Sequence, residues 1–321
     1  MGEYAKTIEY SQQSLTNARE IKNRRNESLA LNNLGITYSC LGNYAKAIAY
    51  HEQSLMIARE IGDRIEEGRA LGNIGNVYYS LGDYEPAIDY NQQCLAIARE
   101  IGDCIGEETA IGNLGNVYYS LGEYQQAIKY HQQCLEIAQQ IRHRSGVGHA
   151  LNNLGNSYYS FQEYERAVDF YQQSLCIAQE IGERSGEGEA LCNLGNVYYS
   201  LGHYQQAINY YQQCLAIAQH IGNRLGEAKA LANLGRNFIK IDHYSKALET
   251  LQVSLEIYIT IGSRFDEAVT LKYLAELYLQ IGDRTLALEY CDRALSISTE
   301  LGIPVAKECQ ELKEQLLSEQ T

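Results

Sequence analysis

The decapeptide "NLGNVYYSLG" at residues 113–122 returns unchanged at 193–202, and the near copies "NIGNVYYSLG" at 73 and "NLGNSYYSFQ" at 153 keep the same forty-residue step. A segment that recurs at one fixed interval marks stacked supersecondary units and not a single catalytic loop. No other feature restricts the chain as much. Its 321 residues could fill two globular domains, but a strict period calls for an elongated array in which each unit covers the apolar face of the next.

Residues 105–144 serve as the type unit. Ile111, Leu114, Gly115 and Tyr118 fall at i, i+3, i+4 and i+7, one face of a helix, and Gly122 follows as its stop. Tyr124, Ala127, Ile128, His131, Leu135, Ala138 and Ile141 mark a second helical face, and most units close on Ile-Gly, as in "IGDR" at 61–64 and "IGER" at 181–184, with another glycine. Each unit is thus a predicted helix hairpin, which the scarcity of proline, two in the whole chain, permits. Strands are excluded because no segment alternates with period two. Small residues recur at the inner face: Gly75, Gly115, Gly155 and Gly195 on the first helix, Ala87, Ala127, Ala167 and Ala207 on the second. Glycine inside a helix costs about 1 kcal/mol relative to alanine, so its repetition implies close approach of the paired helices.

The set Leu114, Gly115, Tyr118, Gly122, Tyr124, Ala127 and Cys134 resembles the tetratricopeptide repeat, and the forty-residue spacing is similar to the long-helix variant in Leu-Gly-Asn-repeat scaffolds, kinesin light chains and bacterial signalling arrays. The resemblance implies an all-α, right-handed superhelical solenoid of antiparallel helix hairpins. On that reading residues 1–24 supply the second helix of a truncated repeat, 25–304 seven hairpins, and 305–321 a capping helix with Val305, Cys309, Leu312 and Leu316 as its apolar stripe. Because Met1 then opens in the middle of a hairpin, the chain is expected to be a piece of something longer, with an apolar N-terminal edge able to drive self-association.

In such arrays the first helices line the inside of the superhelix. At about 100° per residue, Asn116 and Tyr119 share a direction opposite to Ile111, Leu114 and Tyr118. Carried through the repeats, this gives a ladder of Asn76, Asn116, Asn156 and Asn196 beside Tyr79, Tyr119, Tyr159 and Tyr199, with Ser80, Ser120, Ser160 and Ser200 at its edge. An asparagine amide offers donor and acceptor to an extended backbone, and tyrosine adds flat area with a polar tip. Two readings of the ladder stand: it binds a partner peptide, or it bonds to the neighbouring helix. The series Asn73, Asn113, Asn153 and Asn193, about 60° off the stripe, is expected to be structural. The sixth unit differs, with Arg236 and Lys240 on the stripe, Lys229 on the same face and Lys272 on the next helix, a local basic patch suited to an acidic segment. Lysines that would clamp a terminal carboxylate are missing beside Asn76, Asn116 and Asn156. The expected ligand is an extended acidic or polar stretch of protein.

Other chemistry is not signalled. The net charge of −14 disfavours nucleic acid and anionic membranes as partners, and no apolar run is long enough to span a bilayer. No P-loop, H-E-x-x-H or G-x-S-x-G occurs, so no enzyme, cofactor or metal is expected; "GVG" at 146–148 and "GEG" at 186–188 read as breakers between units. His51 and His131 share a position filled elsewhere by Asn91 and Tyr171 and face the helix pair. The nine cysteines contain no C-x-x-C, and Cys94, Cys134 and Cys214 recur as small core residues held apart by the stacking, as suits a reducing cytoplasm. Arg24, Arg64, Arg144, Arg184, Arg224 and Arg264 recur at hairpin ends, where a cation suits a helix C-terminus.

Overall fold

The computed structural model describes residues 2–318, and among these the chain is all-α, with no strand. It divides into two compact units, residues 1–163 and 164–321. The first contains α1 (Gly2–Glu20), α2 (Arg24–Cys40), α3 (Tyr44–Ile61), α4 (Arg64–Leu81), α5 (Tyr84–Ile101), α6 (Cys104–Ser120), α7 (Tyr124–Gln140) and α8 (Arg144–Ser160). The second contains α9 (Tyr164–Ile181), α10 (Arg184–Ser200), α11 (Tyr204–His220), α12 (Arg224–Lys240), α13 (Tyr244–Ile261), α14 (Arg264–Ile281), α15 (Arg284–Leu301) and α16 (Val305–Ser318). Within each unit every helix packs on its successor, and first helices also meet across repeats, as α4 does with α2 and α6. The expected edge at Met1 and the last residues of the expected cap, 319–321, lie outside the described residues.

Local chemistry sets these boundaries. Gly62, Gly82 and Gly102 stop α3, α4 and α5 in the left-handed conformation with φ of 70°, 76° and 71°, where a β-carbon would be strained. The same turn survives without glycine at Lys22, Arg142, Gln162 and Asp242, with φ from 55° to 63°. N-terminal orphan donors find side chains: Asp63 Oδ1 accepts from the Glu66 N–H and Asp103 Oδ1 from the Gly106 N–H.

The first-helix glycines are where the hairpins close. A β-carbon on Gly75 would stand 2.5 Å from Asn91 Nδ2, on Gly115 2.5 Å from the His131 ring, on Gly195 2.6 Å from Tyr211 and on Gly235 2.5 Å from Leu251. The residues opposite are themselves buried, His51 and His131 at 1% exposure. Around this axis lie Leu71, Ile74, Ile111 and Leu114 in the first unit and Leu251, Leu271, Leu274 and Leu277 in the second, all nearly inaccessible. In several hairpins one stacked tyrosine pair closes the end, Tyr118 on Tyr130 at 5.2 Å and Tyr198 on Tyr210 at 5.3 Å between ring centres. α16 buries Val305, Cys309 and Leu316 against the second unit's core.

Two expectations are corrected. The glycines of "GVG" and "GEG" do not break the chain: they lie in the first turns of α8 and α10. There they admit close neighbours, since a β-carbon on Gly146 would overlap Glu108 Oε1, which also holds His143 Nδ1 at 3.0 Å. The recurrent arginines do not cap helix C-termini. They open the first helices, and a cation there opposes the macrodipole. What holds them is carboxylate: Arg24 and Arg64 each donate to the glutamate three residues on, Glu27 and Glu67, and to a glutamate thirty-six residues on, Glu60 and Glu100. Glu27 and Glu67 also accept from Arg19 and Arg59 Nε, each at 2.8 Å. Despite the opposing cost of burial, these bonds hold both carboxyls below their ordinary range.

Candidate functional site

The ladder lies on the first helices as their phase requires, and its side chains serve more than one purpose. Asn76 on α4 is exposed and makes no side-chain hydrogen bond among the described residues. Asn116 on α6 is half-buried, and its Oδ1 accepts from Asn153 Nδ2 of α8 at 3.3 Å. Asn196 on α10 accepts through Oδ1 from the Tyr211 hydroxyl at 2.7 Å. Asn156 is half-buried on α8 and is hydrogen-bonded or otherwise engaged. In Asn116 and Asn196 the amide oxygen is thus engaged within the protein.

The tyrosines form rungs between repeats. The Tyr79 hydroxyl meets Ser120 Oγ at 3.0 Å, and Tyr119 meets Ser160 Oγ at the same distance. Each ring leans on a second-helix tyrosine of its own hairpin, Tyr79 on Tyr84, Tyr119 on Tyr124 and Tyr199 on Tyr204, at 5.5–6.1 Å. Tyr159 is half-buried on α8 and likewise has a partner. Ser120 and Ser160 thus bond to the preceding repeat, a role that the sequence hides because it spans forty-one residues, whereas Ser80 donates to the Asn76 carbonyl of its own helix.

The asparagines offset from the stripe tie repeats together, as expected: Asn73 Nδ2 donates to Asn32 Oδ1 and Asn113 Nδ2 to Asn91 Oδ1, both at 3.0 Å.

The basic residues of the second unit fall into three environments. Arg236 lies 4.0 Å over the Tyr199 ring and 5.5 Å from the Tyr273 ring, so its guanidinium packs beside aromatic surface. Although burial opposes it, the surrounding tyrosines and Glu276 leave its pKa raised. Lys272 is largely enclosed and pairs with Glu308 of α16 and, at 3.5 Å, with Glu276; burial notwithstanding, those carboxylates raise its pKa. Lys229 and Lys240 are exposed. Lys229 stands on the wall of an open cavity of about 570 Å³ among α10 to α14, together with Asn193, Asn196, Asn233 and Tyr273. A smaller cavity of about 220 Å³ in the first unit is lined by Asn73, Asn76 and Asn113.

One juxtaposition was not expected. Cys94, Cys134 and Cys214 are buried as foreseen, but Cys192 on α10 and Cys214 on α11 line one cavity and influence each other's acidity, so the stacking does not hold all thiols apart. The signal was present as residue 192 replacing a glycine found at 72 and 112, legible only once the hairpin register is known. No group of three or more His, Cys, Asp or Glu side chains is arranged to hold a metal, and no helix is long and apolar enough to cross a membrane, among the described residues.

Comparison with known proteins places this architecture. Residues 1–60, 30–100, 107–180 and 186–260 match one family model and 270–305 another, both described as tetratricopeptide repeat. No curated protein matches the sequence significantly. Among solved structures, the chain is similar to a STAND protein with a tetratricopeptide repeat sensor from Pyrococcus horikoshii, with TM-score 0.69, 17% identity and cover of 98% of this chain and 48% of that one. It is similar to a Rap protein complexed with Competence and Sporulation Factor, with TM-score 0.67, 18% identity and cover of 86% and 76%. A third likeness is to aspartyl phosphate phosphatase F from Bacillus subtilis, with TM-score 0.69, 17% identity and cover of 89% and 74%. At such identities these likenesses speak to fold.

Proposed function

Because the chain belongs to the tetratricopeptide repeat family, we propose that it is a non-enzymatic interaction scaffold whose first-helix face holds an extended polar or acidic segment of a partner protein. The observation that carries this reading is the open cavity among α10 to α14, where Asn196 and Lys229 meet Asn193, Asn233 and Tyr273 on one wall. Amide groups there can pair with a peptide main chain, and tyrosine supplies area at low entropic cost. Arg236 and the exposed Lys240 extend the cationic strip, which favours a ligand with carboxylates. Glu189 and Asp266 also line the cavity and would select against a densely charged one.

The Rap protein in complex with Competence and Sporulation Factor supports the use of this fold for holding a second molecule. The STAND protein, of which this chain spans 48%, supports a second reading, a sensor or partner-recruiting arm of a larger signalling protein. Self-association through the exposed face of α1, where Tyr10 stands 67% accessible, is the structural alternative.

Binding of matched acidic, neutral and basic fifteen-residue peptides by fluorescence anisotropy separates these. Lys229→Glu with Lys240→Glu should weaken the acidic peptides at least tenfold and leave the neutral ones unchanged, while Asn76→Ala, which breaks no internal bond, should weaken both. Equal affinity of wild type for all three classes would eliminate the acidic preference. Light scattering over a concentration series tests self-association, which a constant molecular mass would refute.

A further inference from the structure

In α4 and α6 the residues at positions 72 and 112 are glycines, and a β-carbon built on them would lie 3.3 Å from Cys94 Sγ and 3.5 Å from Cys134 Sγ. Residue 192 occupies the same place in its repeat but is cysteine, and Cys214 is the counterpart of Cys94 and Cys134. The register that sets a methyl-sized group against sulfur in the sister hairpins therefore sets thiol towards thiol here, and both side chains line one cavity. A disulfide needs β-carbons roughly 3.8 Å apart and sulfurs at roughly 2.05 Å. A β-carbon in this register lies 3.3–3.5 Å from the opposing sulfur in the sister hairpins, so side-chain rotation and small shifts suffice.

The pair is reachable. Both cysteines line the cavity of about 570 Å³, on whose wall Lys229 also stands, and Asn233 Nδ2 lies 3.9 Å from Cys192 Sγ as a donor. The two thiols are not equivalent. The neighbouring Cys214 thiol, with help from Lys229 and Asn233, holds the Cys192 thiol below its ordinary range against the cost of burial, while the nearness of Cys192, with burial, pushes Cys214 up.

We propose that Cys192 and Cys214 form a dithiol site that reduces a small hydroperoxide and closes into a disulfide. The Cys192 thiolate attacks the terminal peroxide oxygen, the O–O bond breaks, and the departing alkoxide takes up the proton that Cys192 released. This leaves a sulfenic acid on Cys192. The Cys214 sulfur then attacks the Cys192 sulfur, the S–O bond breaks, and the hydroxide leaves as water with the Cys214 proton. Two thiols supply the two electrons; the products are one alcohol, or water when the substrate is hydrogen peroxide, one water and one disulfide.

The test treats the full chain with hydrogen peroxide and maps its peptides without reduction. The expected result is one intramolecular link joining the peptides of Cys192 and Cys214. Two variants borrow sister-repeat residues and so keep the packing: Cys192→Gly, as at 72 and 112, and Cys214→Ser, as at 54 and 254. Dimedone should trap a sulfenic acid on Cys192 in Cys214→Ser, and none on Cys214 in Cys192→Gly. Iodoacetamide at neutral pH should label Cys192 at least tenfold faster than Cys94 or Cys134, whose thiols burial pushes up to about 11 and about 12. Oxidation confined to the exposed Cys40, Cys104 and Cys176, or a Cys192 in Cys214→Ser that resists dimedone, would overturn the proposal.

Discussion

At the scale of the residue, the chain is governed by what faces each first-helix glycine. Gly115→Ala would drive a methyl group to 2.5 Å from the His131 ring, both residues buried, and is expected to cost about 1–3 kcal/mol in denaturant unfolding. His131→Ala should recover most of that loss in the double variant, because the clash and its relief share one site. At the hairpin stop, Arg142 holds φ 57°, a conformation that costs a non-glycine residue about 1–2 kcal/mol. Arg142→Gly is therefore expected to raise the free energy of unfolding, measured with denaturant, by about 1 kcal/mol, part of the gain being returned through the more flexible unfolded chain. The glycines, their spacing and their opposing residues were legible in the sequence, since small residues at one helical phase announce close approach. The persistence of the turn without glycine was not, because a left-handed residue leaves no periodic trace.

At the scale of the element, helix hairpins are joined by carboxylates that gather arginines from both sides of a joint. Glu67 accepts from Arg59 and Arg64 and is nearly enclosed, so Glu67→Ala removes a carboxylate shared by two arginines, of which Arg64 keeps Glu100, and should cost about 1–2 kcal/mol; Glu100→Ala, at an exposed partner, should cost less than about 1. Thermal unfolding of the two variants side by side checks the order. Cys104 breaks the arginine series, and Glu107 there pairs with Arg99 at 2.7 Å. Cys104→Arg is expected to add about 0.5 kcal/mol by restoring the clamp. The arginine period was visible in the sequence, but its meaning was misread: a residue at a hairpin end can close one helix or open the next, and partners thirty-six residues away become visible only when hairpins are laid side by side. The same distance hid the Tyr79–Ser120 and Tyr119–Ser160 rungs. The ladder's phase could be computed from helix geometry, whereas its division between internal bonding and ligand contact depends on neighbours in other repeats.

At the scale of the whole molecule, the two units should respond differently to acid. His51 and His131, both in the first unit, are held by burial at pKa about 4, below the 6.5 of a solvated imidazole. The unfolded chain binds protons that the folded one refuses, so their stabilising contribution is complete above pH 6.5 and is lost as pH falls towards 4, by up to about 3 kcal/mol per histidine. The second unit carries Tyr171, Tyr211, Leu251 and Cys291 at the corresponding positions and lacks this liability. Hydrogen exchange at pH 5 against pH 7 should show residues 24–140 opening ahead of residues 184–301, and His51→Asn with His131→Asn, the residue at 91, should narrow the gap. A further consequence belongs to the glycines facing those side chains. Each presents an empty socket, and the plug opposite has drifted through imidazole, amide, phenol and isobutyl in successive hairpins; where the socket is already filled by the Ala275 methyl, the plug is the small Cys291. Such an arrangement lets copies diverge independently after duplication, so lineages can diversify one hairpin without renegotiating its neighbours.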